Sequence, residues 1–372
     1  MTRSIYVAGT GQHSGKTMVS LGLLAVLRER GYRVAYMKPV GQRTVCFAGA
    51  VVDEDVALIH QVYNLSAPPA LANPVTVPSG YTRRFLAEGR SSQDLMDKIT
   101  DAFQQIAREA DLVVVEGTGH AGVGAVLGLS NAKVARLLGS HVIIVTGGGI
   151  GRPIDEFELN RALFQEEQVP VHGMISNKVQ PARVEETTSA LTAWARPRGY
   201  PLWGTIPYEP CLTEISLAQI TEEIGARVVS GIESLERRVR DIIIGAAPCH
   251  RLLQFFDAGI LMITPGDRDD LVLAAISWDQ THQTECGEGL GVCLTSDVLP
   301  HEDVLKLTAH SHTPVIASSD GTYNVAARVS GLVAKMTFND QGKIERAREL
   351  VEKHVDVDGL IASLPARAGR DQ

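Results

Sequence analysis

Residues 9–17 read Gly-Thr-Gly-Gln-His-Ser-Gly-Lys-Thr, and they directly follow the apolar run Ser4-Ile5-Tyr6-Val7-Ala8. A buried strand that enters a glycine-rich turn and then a helix opened by Gly-Lys-Thr is typical of a nucleoside triphosphate site. Glycines let the backbone wrap so that several N–H groups point inward, and the helix N-terminus adds the positive end of its dipole. The segment therefore predicts an α/β fold with a phosphate-binding loop after its first strand.

This loop departs from the strict pattern of glycine, four residues, glycine, lysine and serine or threonine. Thr10 stands where the first glycine is expected, and Gly9 lies one place earlier. Lys16 is predicted to reach the β- and γ-phosphates and the Thr17 hydroxyl to ligate Mg²⁺. A chance glycine-rich turn is the alternative, but it does not account for the strand before it and the helix after it. The predicted nucleotide-binding residues of the loop are Gly9, Thr10, Gly11, Gln12, His13, Ser14, Gly15, Lys16, Thr17 and Met18.

Composition and charge are those of an ordinary globular protein. The 372 residues, 44% hydrophobic and 21% charged, suggest two domains at about 150 residues each. The formal net charge of −8 argues against nucleic acid or an acidic membrane as a partner. No apolar run approaches the roughly 18 residues of a membrane span, and the first strand starts too early for a signal peptide. Five scattered cysteines without a Cys-x-x-Cys pair fit reduced thiols, so we expect a cytoplasmic protein.

The order of apolar runs predicts the domain organisation. Up to about residue 210, short continuous apolar runs alternate with helical patterns, which favours a parallel sheet covered by helices on both faces. We predict a P-loop nucleotide-binding domain at 1–211, a smaller α/β domain at 212–335, and a C-terminal helix and tail at 336–372. The predicted strands are 4–8, 33–37, 112–115, 141–145, 171–176 and 202–206, then 259–263, 291–294 and 314–317. The predicted helices include 18–30, 269–278, 322–329 and 344–354.

Polar residues follow the strands of the first predicted domain at one edge of the sheet. Because ligands bind at the carboxyl ends of strands in open α/β sheets, Lys38, Glu116, Thr146 and Asn177 are expected to meet the loop in one crevice. Glu116 ends a hydrophobic strand, where an acidic residue holds Mg²⁺ in P-loop enzymes. The acidic cluster 53–55 is either a solvated helix start or a second Mg²⁺ contact through Asp55. The predicted metal ligands are Thr17, Asp55 and Glu116.

Three further features have an alternative interpretation each. Lys38 can neutralise phosphate charge or hold an anionic substrate, or it is an ordinary surface lysine. Asn177 and the turn ending at Pro207 are predicted to meet an adenine ring, although asparagine at such turns is also common for conformational reasons. The segment 147–152, which ends in Arg152, is either a second anion-binding turn or a lid without ligand contact. The candidate catalytic residues are Lys16, Lys38 and Glu116.

Together these motifs resemble the motif series of the dethiobiotin synthetases, in the same order. The matching positions are Gly9-Thr10, Gly15-Lys16-Thr17, Lys38-Pro39-Val40, Asp55, Glu116-Gly117, Asn177 and Gly204-x-Ile206-Pro207. A closer resemblance covers nearly the whole chain. It is to the dethiobiotin-synthetase-like N-terminal region of long phosphotransacetylases, which is followed by a DRTGG domain. This second resemblance is carried by Glu116-Gly-Thr-Gly-His120, Gly149-Ile-Gly-Arg-Pro-Ile-Asp-Glu156 and Thr264-Pro-Gly-Asp-Arg268.

The resemblance implies ATP and Mg²⁺ as ligands of a P-loop NTPase domain. It implies a DRTGG-like second domain that mediates oligomerisation or holds a small anionic metabolite or a protein partner. Gly11-Gln12 replace the Asp-Thr that is usual in dethiobiotin synthetases, and Ser296-Asp297 replace the paired glycines of the DRTGG pattern. Because the sequence stops at Gln372, we expect the acetyltransferase domain of long phosphotransacetylases to be absent, and the resemblance does not imply acetyl transfer.

We therefore expect a stand-alone nucleotide-dependent regulatory or sensor protein, with or without slow ATP hydrolysis. The alternative is an ATP-dependent ligase or carboxylase of the dethiobiotin synthetase or cobyrinic acid diamide synthase type. Similar proteins pair through the P-loop domain, so a homodimer or a higher oligomer is also expected. No nucleic acid and no membrane is expected as a partner.

Overall fold

The computed structural model of the chain describes residues 3–282, 289–332, 334, 336–338 and 340–365. The chain forms two compact units: Met1–Glu209 together with Met336–Gln372, and Pro210–Lys335. The sequence alone did not predict where the segment after residue 335 packs. In the structure, this segment belongs to the first unit. Within the described residues, no helix has both the length and the apolar character to cross a membrane.

The first unit is built around a six-stranded parallel sheet in the order β10-β9-β8-β1-β7-β2. Its strands are Arg3–Gly9 (β1), Val34–Met37 (β2), Val40–Gly41 (β3), Thr44–Phe47 (β4), Ala50–Asp53 (β5), Val75–Thr76 (β6), Leu112–Glu116 (β7), His141–Thr146 (β8), Val171–Val179 (β9) and Leu202–Pro207 (β10). Its helices up to residue 209 are Lys16–Glu29 (α1), Glu54–Tyr63 (α2), Pro69–Ala72 (α3), Tyr81–Ala87 (α4), Ser92–Glu109 (α5), Asn131–Leu137 (α6), Gly151–Glu166 (α7) and Val184–Ala195 (α8).

The central strands of this sheet are buried on both faces, as their continuous apolar runs predict. All five residues of β7 are buried, and so are the last six of the seven residues of β1. Side chains of successive residues point to opposite faces, so a run without polar alternation requires cover on both sides. The parallel sheet and all six predicted strands of this unit are confirmed, with ends that shift by at most three residues.

The second unit is a smaller α/β unit with a five-stranded sheet in the order β12-β17-β16-β15-β14. Only β12 is antiparallel to its neighbour, and the other four strands are parallel. Its strands are Ile215–Ser216 (β11), Arg227–Ser230 (β12), Arg238–Val239 (β13), Asp241–Ile244 (β14), Ile260–Pro265 (β15), Gly291–Thr295 (β16) and Val315–Ala317 (β17). Its helices are Leu217–Ile224 (α9), Cys249–Leu252 (α10), Asp269–Thr281 (α11), Glu302–Ala309 (α12) and Thr322–Ser330 (α13). The predicted strands and helices of this segment are confirmed.

After the second unit the chain returns to the first as Gln341–His354 (α14) and Val357–Ser363 (α15). Helix α14 packs directly on α1, the helix that follows the phosphate-binding loop. The two backbones come so close that a Cβ at Gly22 would lie 2.3 Å from Val351. Farther along, Val355 pairs with Gly204 in a β-bridge, and Asp356 donates its N–H to the carbonyl of Trp203 at 2.7 Å. The outer face of α1 is therefore covered by the end of the chain.

Candidate functional site

The loop between β1 and α1 lies at the carboxyl edge of the first sheet. Thr10 donates its backbone N–H to the carbonyl of Val145 at 3.1 Å, which fixes the start of the loop beside the end of β8. Gly15 is the N-cap of α1 with φ +96°, a conformation that only glycine adopts without strain, and no side chain caps the helix. The first N–H groups of α1 have no partner within the helix, so they are available to an anion.

Two buried polar groups of the loop face inward. The Ser14 hydroxyl is buried and has no hydrogen-bond partner within the described residues. Lys16 is only 8% exposed, and its Nζ donates to the carbonyl of Gly11 at 2.9 Å. Burial lowers the pKa of Lys16 to about 8, against the opposing effect of Glu116. The ammonium therefore lies folded back on its own loop in a partly desolvated position.

Beside the loop, the structure brings Thr17 and Glu116 together as the sequence predicted. The Thr17 hydroxyl donates to Glu116 Oε1 at 2.8 Å, and the Tyr36 hydroxyl donates to Oε2 at 3.0 Å. Glu116 is 1% exposed, and burial, followed by repulsion from Asp55, raises its pKa to about 6. Lys38, Thr17 and Lys16 act in the opposite direction but do not outweigh burial.

Lys38 lies in the same cluster and is held by two carboxylates. Its Nζ donates to Asp53 Oδ1 at 2.7 Å and also contacts Asp55. Burial disfavours its charge, yet Asp55, Glu116 and Asp53 raise the pKa of Lys38 above its ordinary value. With 6% of its surface exposed, Lys38 is not a surface lysine, so that alternative is wrong.

Asp53 is a member of the cluster that the site prediction did not include. It is the N-cap of α2, where its Oδ1 accepts the N–H of Asp55 at 3.1 Å, so the acidic run does start a helix. Because Asp53 is only 1% exposed, this helix start is not solvated as the sequence interpretation had it. The other carboxylate oxygen of Asp53 accepts the N–H groups of Gln42 and Arg43 at 2.9 and 3.2 Å. An aspartate directly before a predicted helix is a signal for an N-cap that can be read from the sequence. The contact of Asp53 with Lys38 cannot be read from the sequence, because it depends on tertiary packing.

Asn177, at the end of β9, reaches the phosphate-binding loop. It is 2% exposed, and its Nδ2 donates to the carbonyl of Ser14 at 3.0 Å while its Oδ1 accepts the N–H of Lys178 at 2.8 Å. Pro207 ends β10 and pairs with Val179 of β9, so it lies along the same edge but two strands beyond β8.

The glycine-rich segment that ends in Arg152 lies near the start of the loop. Arg152 is largely exposed, and its Nε donates to Glu156 Oε1 at 2.6 Å. The other Glu156 oxygen accepts the Thr10 hydroxyl at 3.0 Å. A cleft of about 340 Å³ lies here and is lined by Thr10, His120, Ala121, Gly122, Glu156, Leu159, Asn160 and Leu163.

The donor set of the acidic cluster fits Mg²⁺ rather than a metal held by protein alone. Among the described residues, no group of three or more histidine, cysteine, aspartate or glutamate side chains is placed to hold a metal ion. Mg²⁺ is usually bound through one or two carboxylates together with substrate phosphates and waters. The carboxylates of Asp55 and Glu116 and the Thr17 hydroxyl are that kind of partial set.

Comparison with known families agrees with this geometry. Residues 3–216, more than half of the chain, match the AAA domain family. The chain belongs to the AAA domain family. Residues 219–332 match the DRTGG domain, so the predicted order of a P-loop domain followed by a DRTGG domain is confirmed. We refer to these two segments below as the AAA domain and the DRTGG domain.

Relatives along nearly the whole chain are phosphate acetyltransferases, which confirms the predicted relationship to phosphotransacetylases. The protein of Pseudomonas aeruginosa is 28% identical over 378 residues, which cover 96% of this chain and 51% of the relative. The protein of Synechocystis sp. is 25% identical, with 97% of this chain and 52% of the relative covered. The chain thus spans about half the length of the curated relatives it matches.

Solved structures show weaker similarity. The septum site-determining protein MinD complexed with Mg-ADP from Pyrococcus horikoshii is 18% identical, with a TM-score of 0.37 over 57% of this chain and 84% of that one. The CBS and DRTGG domains of the regulatory region of Clostridium perfringens pyrophosphatase, complexed with diadenosine tetraphosphate, are 13% identical. They give a TM-score of 0.25 over 37% of this chain and 67% of that one.

Proposed function

We propose that the AAA domain binds Mg²⁺ and ATP and that the chain acts as a nucleotide-dependent regulatory or sensor protein. The observation that carries the proposal is the phosphate-binding loop itself, with its unpartnered buried Ser14 hydroxyl beside the partly desolvated Lys16. A buried polar atom without a partner is costly, and a phosphate oxygen would satisfy it. The Lys16 ammonium needs only to leave the Gly11 carbonyl to meet the same ligand.

Thr17, Glu116 and Asp55 are the residues proposed to hold Mg²⁺, which would neutralise phosphate charge when bound. Thr17 and Glu116 already contact each other at 2.8 Å, and Asp55 acts electrostatically on Glu116. The oxygen-only chemistry of this set matches the ligand preference of the ion. Pro207 and the turn before it are the proposed neighbours of the adenine ring.

The burial of the Lys38 ammonium between two carboxylates favours a regulatory role over a ligase activity. A lysine that stabilises an anionic substrate needs an accessible ammonium, whereas the Nζ of Lys38 is buried between Asp53 and Asp55. The relatives that match the whole chain do not contradict a regulatory role, since the chain spans only about half of their length. We further propose a homodimer, and a small anionic metabolite or a protein as the partner of the DRTGG domain.

One observation favours the alternative, an ATP-dependent ligase or carboxylase. The cleft of about 340 Å³ beside Thr10 is large enough for a small co-substrate next to the proposed phosphate site. This alternative predicts that a small acid or amine raises ATP turnover by orders of magnitude. The regulatory role predicts no such stimulation across a panel of carboxylates and amines.

The test of the proposal is calorimetric titration of the protein with ATP, ADP and GTP in the presence of Mg²⁺. We expect adenine-selective binding that weakens roughly 100-fold in Lys16→Ala, because hydrogen bonds from charged groups contribute about 1.5–3 kcal/mol each. Lys98→Ala is the matched control, since Lys98 is an exposed lysine on α5. Wild-type affinity in Lys16→Ala would contradict the proposed site.

A further inference from the structure

We propose that Asn131 is a positioning residue that fixes the turn at residues 117–120 and, through this turn, the place of Glu116 at the end of β7. The inference rests on the proposed binding of Mg²⁺ by the AAA domain, in which Glu116 is a proposed ligand. It adds a side chain from outside the phosphate-binding loop, since Asn131 is the first residue of α6. It starts from the four hydrogen bonds that this one amide makes to the rest of the protein.

Protein groups fill the hydrogen-bonding capacity of the Asn131 amide. Its Oδ1 accepts the Tyr6 hydroxyl at 2.8 Å and the N–H of Thr118 at 3.1 Å. Its Nδ2 donates to the carbonyls of Thr118 at 2.7 Å and His120 at 2.6 Å. A primary amide has two N–H donors and an oxygen with two lone pairs, so these four bonds use all of them. Asn131 is also only 5% exposed, so it supports the turn instead of contacting a ligand itself.

Three of the four bonds hold the backbone that follows Glu116. Gly117 donates its N–H to the carbonyl of Val7 at 3.0 Å, which continues the pairing of β7 with β1. The next N–H along the chain, that of Thr118, is held by Asn131. The fit is close, because a Cβ at Gly117 would lie 2.8 Å from Asn131 Oδ1. The backbone on the carboxyl side of Glu116 therefore depends on Asn131 as soon as it leaves the sheet.

The same turn is also tied to the chain near Lys38. The Thr118 hydroxyl donates to the carbonyl of Val40 at 2.5 Å, two residues after Lys38 in the sequence. The Glu116 carboxylate, one residue before the turn, accepts the Thr17 hydroxyl at 2.8 Å. A turn that is free to shift would therefore change how the carboxylate of Glu116 meets Thr17, and these are two of the three proposed Mg²⁺ ligands.

The phosphate-binding loop is anchored independently of Asn131. The N–H of Thr10 donates to the carbonyl of Val145 at 3.1 Å, which holds the start of the loop to the end of β8. The partners of Asn131 lie in β1 and in the turn, outside residues 9–17. Loss of Asn131 should therefore disturb the metal ligand and leave the phosphate contacts in place. A general loss of folding would instead weaken nucleotide binding equally with and without metal.

The experiment measures ATP binding by calorimetry with Mg²⁺ and with EDTA, for the full chain, Asn131→Ala, Glu116→Gln and the double variant. We expect the ratio of the two affinities to fall about threefold to tenfold in Asn131→Ala, the size of one hydrogen bond, while the affinity in EDTA is unchanged. In the Glu116→Gln background, Asn131→Ala should cause no further fall, because both act through the same ligand. Asn324→Ala, which changes an exposed asparagine on α13, is the matched control. An unchanged ratio, equal losses with and without Mg²⁺, or a further fall in the double variant would overturn the proposal.

A second measurement needs no ligand, so its failure is distinguishable from failure of the proposed function. In Asn131→Ala, amide hydrogen exchange of residues 117–121 should accelerate while exchange of residues 10–17 stays unchanged. Tyr6→Phe removes one of the four bonds and should accelerate the same amides by a smaller factor. It is the milder variant to use if Asn131→Ala does not fold. Unchanged exchange of the turn, or equal acceleration in both segments, would overturn the positioning role even if the wild type bound no nucleotide.

Discussion

Each unit of the molecule contains a buried ion pair, and the two pairs are built differently. In the DRTGG domain, Arg237 and Asp279 meet at 2.9 Å, with side chains that are 7% and 1% exposed. In the AAA domain, Lys38 meets Asp53 at 2.7 Å and also contacts Asp55. Both sites are buried, so burial alone does not separate a structural ion pair from a functional one.

The pair in the DRTGG domain is closed in the sense that its two charges balance and its polar atoms bond to neighbouring protein groups. Each oxygen of Asp279 has a donor besides Arg237: the N–H of Leu290 at 3.0 Å and the hydroxyl of Thr313 at 2.9 Å. Arg237 also donates to the carbonyl of Leu290 at 3.1 Å. One cation balances one anion, and the surrounding groups complete the hydrogen bonding, which is the condition for a buried pair to be tolerated.

The cluster in the AAA domain carries an excess of negative charge. Among the described residues, the ammonium groups of Lys38 and Lys16 are the two cations that act on the carboxylates of Asp55 and Glu116, while Asp53 pairs with Lys38. The raised pKa of Glu116 reports this excess together with its burial. The charge balance of a buried cluster, rather than its depth, therefore indicates a place for another cation.

The largest expected effect follows from breaking the closed pair. Arg237→Met leaves Asp279 buried without a counter-charge, so the free energy of unfolding should fall by about 4 kcal/mol. Urea unfolding measures the loss, and Mg²⁺ should not restore it because, among the described residues, Asp279 forms an ion pair with Arg237 alone and no second carboxylate pairs with that arginine. Recovery of stability with Mg²⁺ would show that this site also accepts a free cation and would erase the contrast.

A slightly smaller effect is expected for Lys38→Met. Asp55 is partly exposed, so the loss of the lysine should lower the free energy of unfolding by about 3 kcal/mol without metal. Here millimolar Mg²⁺ or Mn²⁺ should raise the melting temperature more than in the wild type, because a divalent ion can replace the missing ammonium. Equal metal-induced shifts in both proteins, read by scanning calorimetry, would argue against a cation site at these carboxylates.

The smallest effect is a pH dependence from Glu116. Its pKa is raised to about 6 in the folded chain, so the folded state binds its proton more tightly than the unfolded state does. The stabilisation is present below pH 4.5 and is lost as the pH rises through 6, by about 2 kcal/mol. Glu116→Gln cannot ionise, so its stability relative to the wild type should rise across this window in urea titrations. If the difference in the free energy of unfolding between Glu116→Gln and the wild type stays constant with pH, Glu116 ionises with an ordinary pKa and the excess negative charge is screened.

Much of the fold could be predicted from the sequence because it depends on local patterns. The apolar runs at 112–115 and 141–145 predicted buried parallel strands, and the Gly-Lys-Thr segment predicted the loop and the start of α1. The hairpin of β4 and β5 was missed, although the apolar residues 45–52 with Gly49 at the turn were a readable signal for it. The amphipathic pattern of α14 predicted a helix but not that it packs on α1, because a pattern does not name its partner.

For the candidate site, the sequence predicted which residues lie at the edge of the sheet better than it predicted which side chains contact each other. Thr17 and Glu116 meet as expected, since each lies at a defined place on a strand end or helix start. The ion pairs of Lys38 with Asp53 and Asp55 depend on how the chain folds back after β3, which no local signal encodes. The direction of the Asn177 amide likewise depends on a carbonyl 163 residues away.

The return of the chain as α14 also limits how the gene can be dissected. The DRTGG domain is an insertion within the first unit, so a stop codon after residue 335 would remove residues 336–372, which belong to that first unit. The truncated product would expose the face of α1 that Val351 covers, and such an apolar face promotes aggregation. Exchanging the DRTGG domain between relatives therefore requires two junctions, one on each side of the insert.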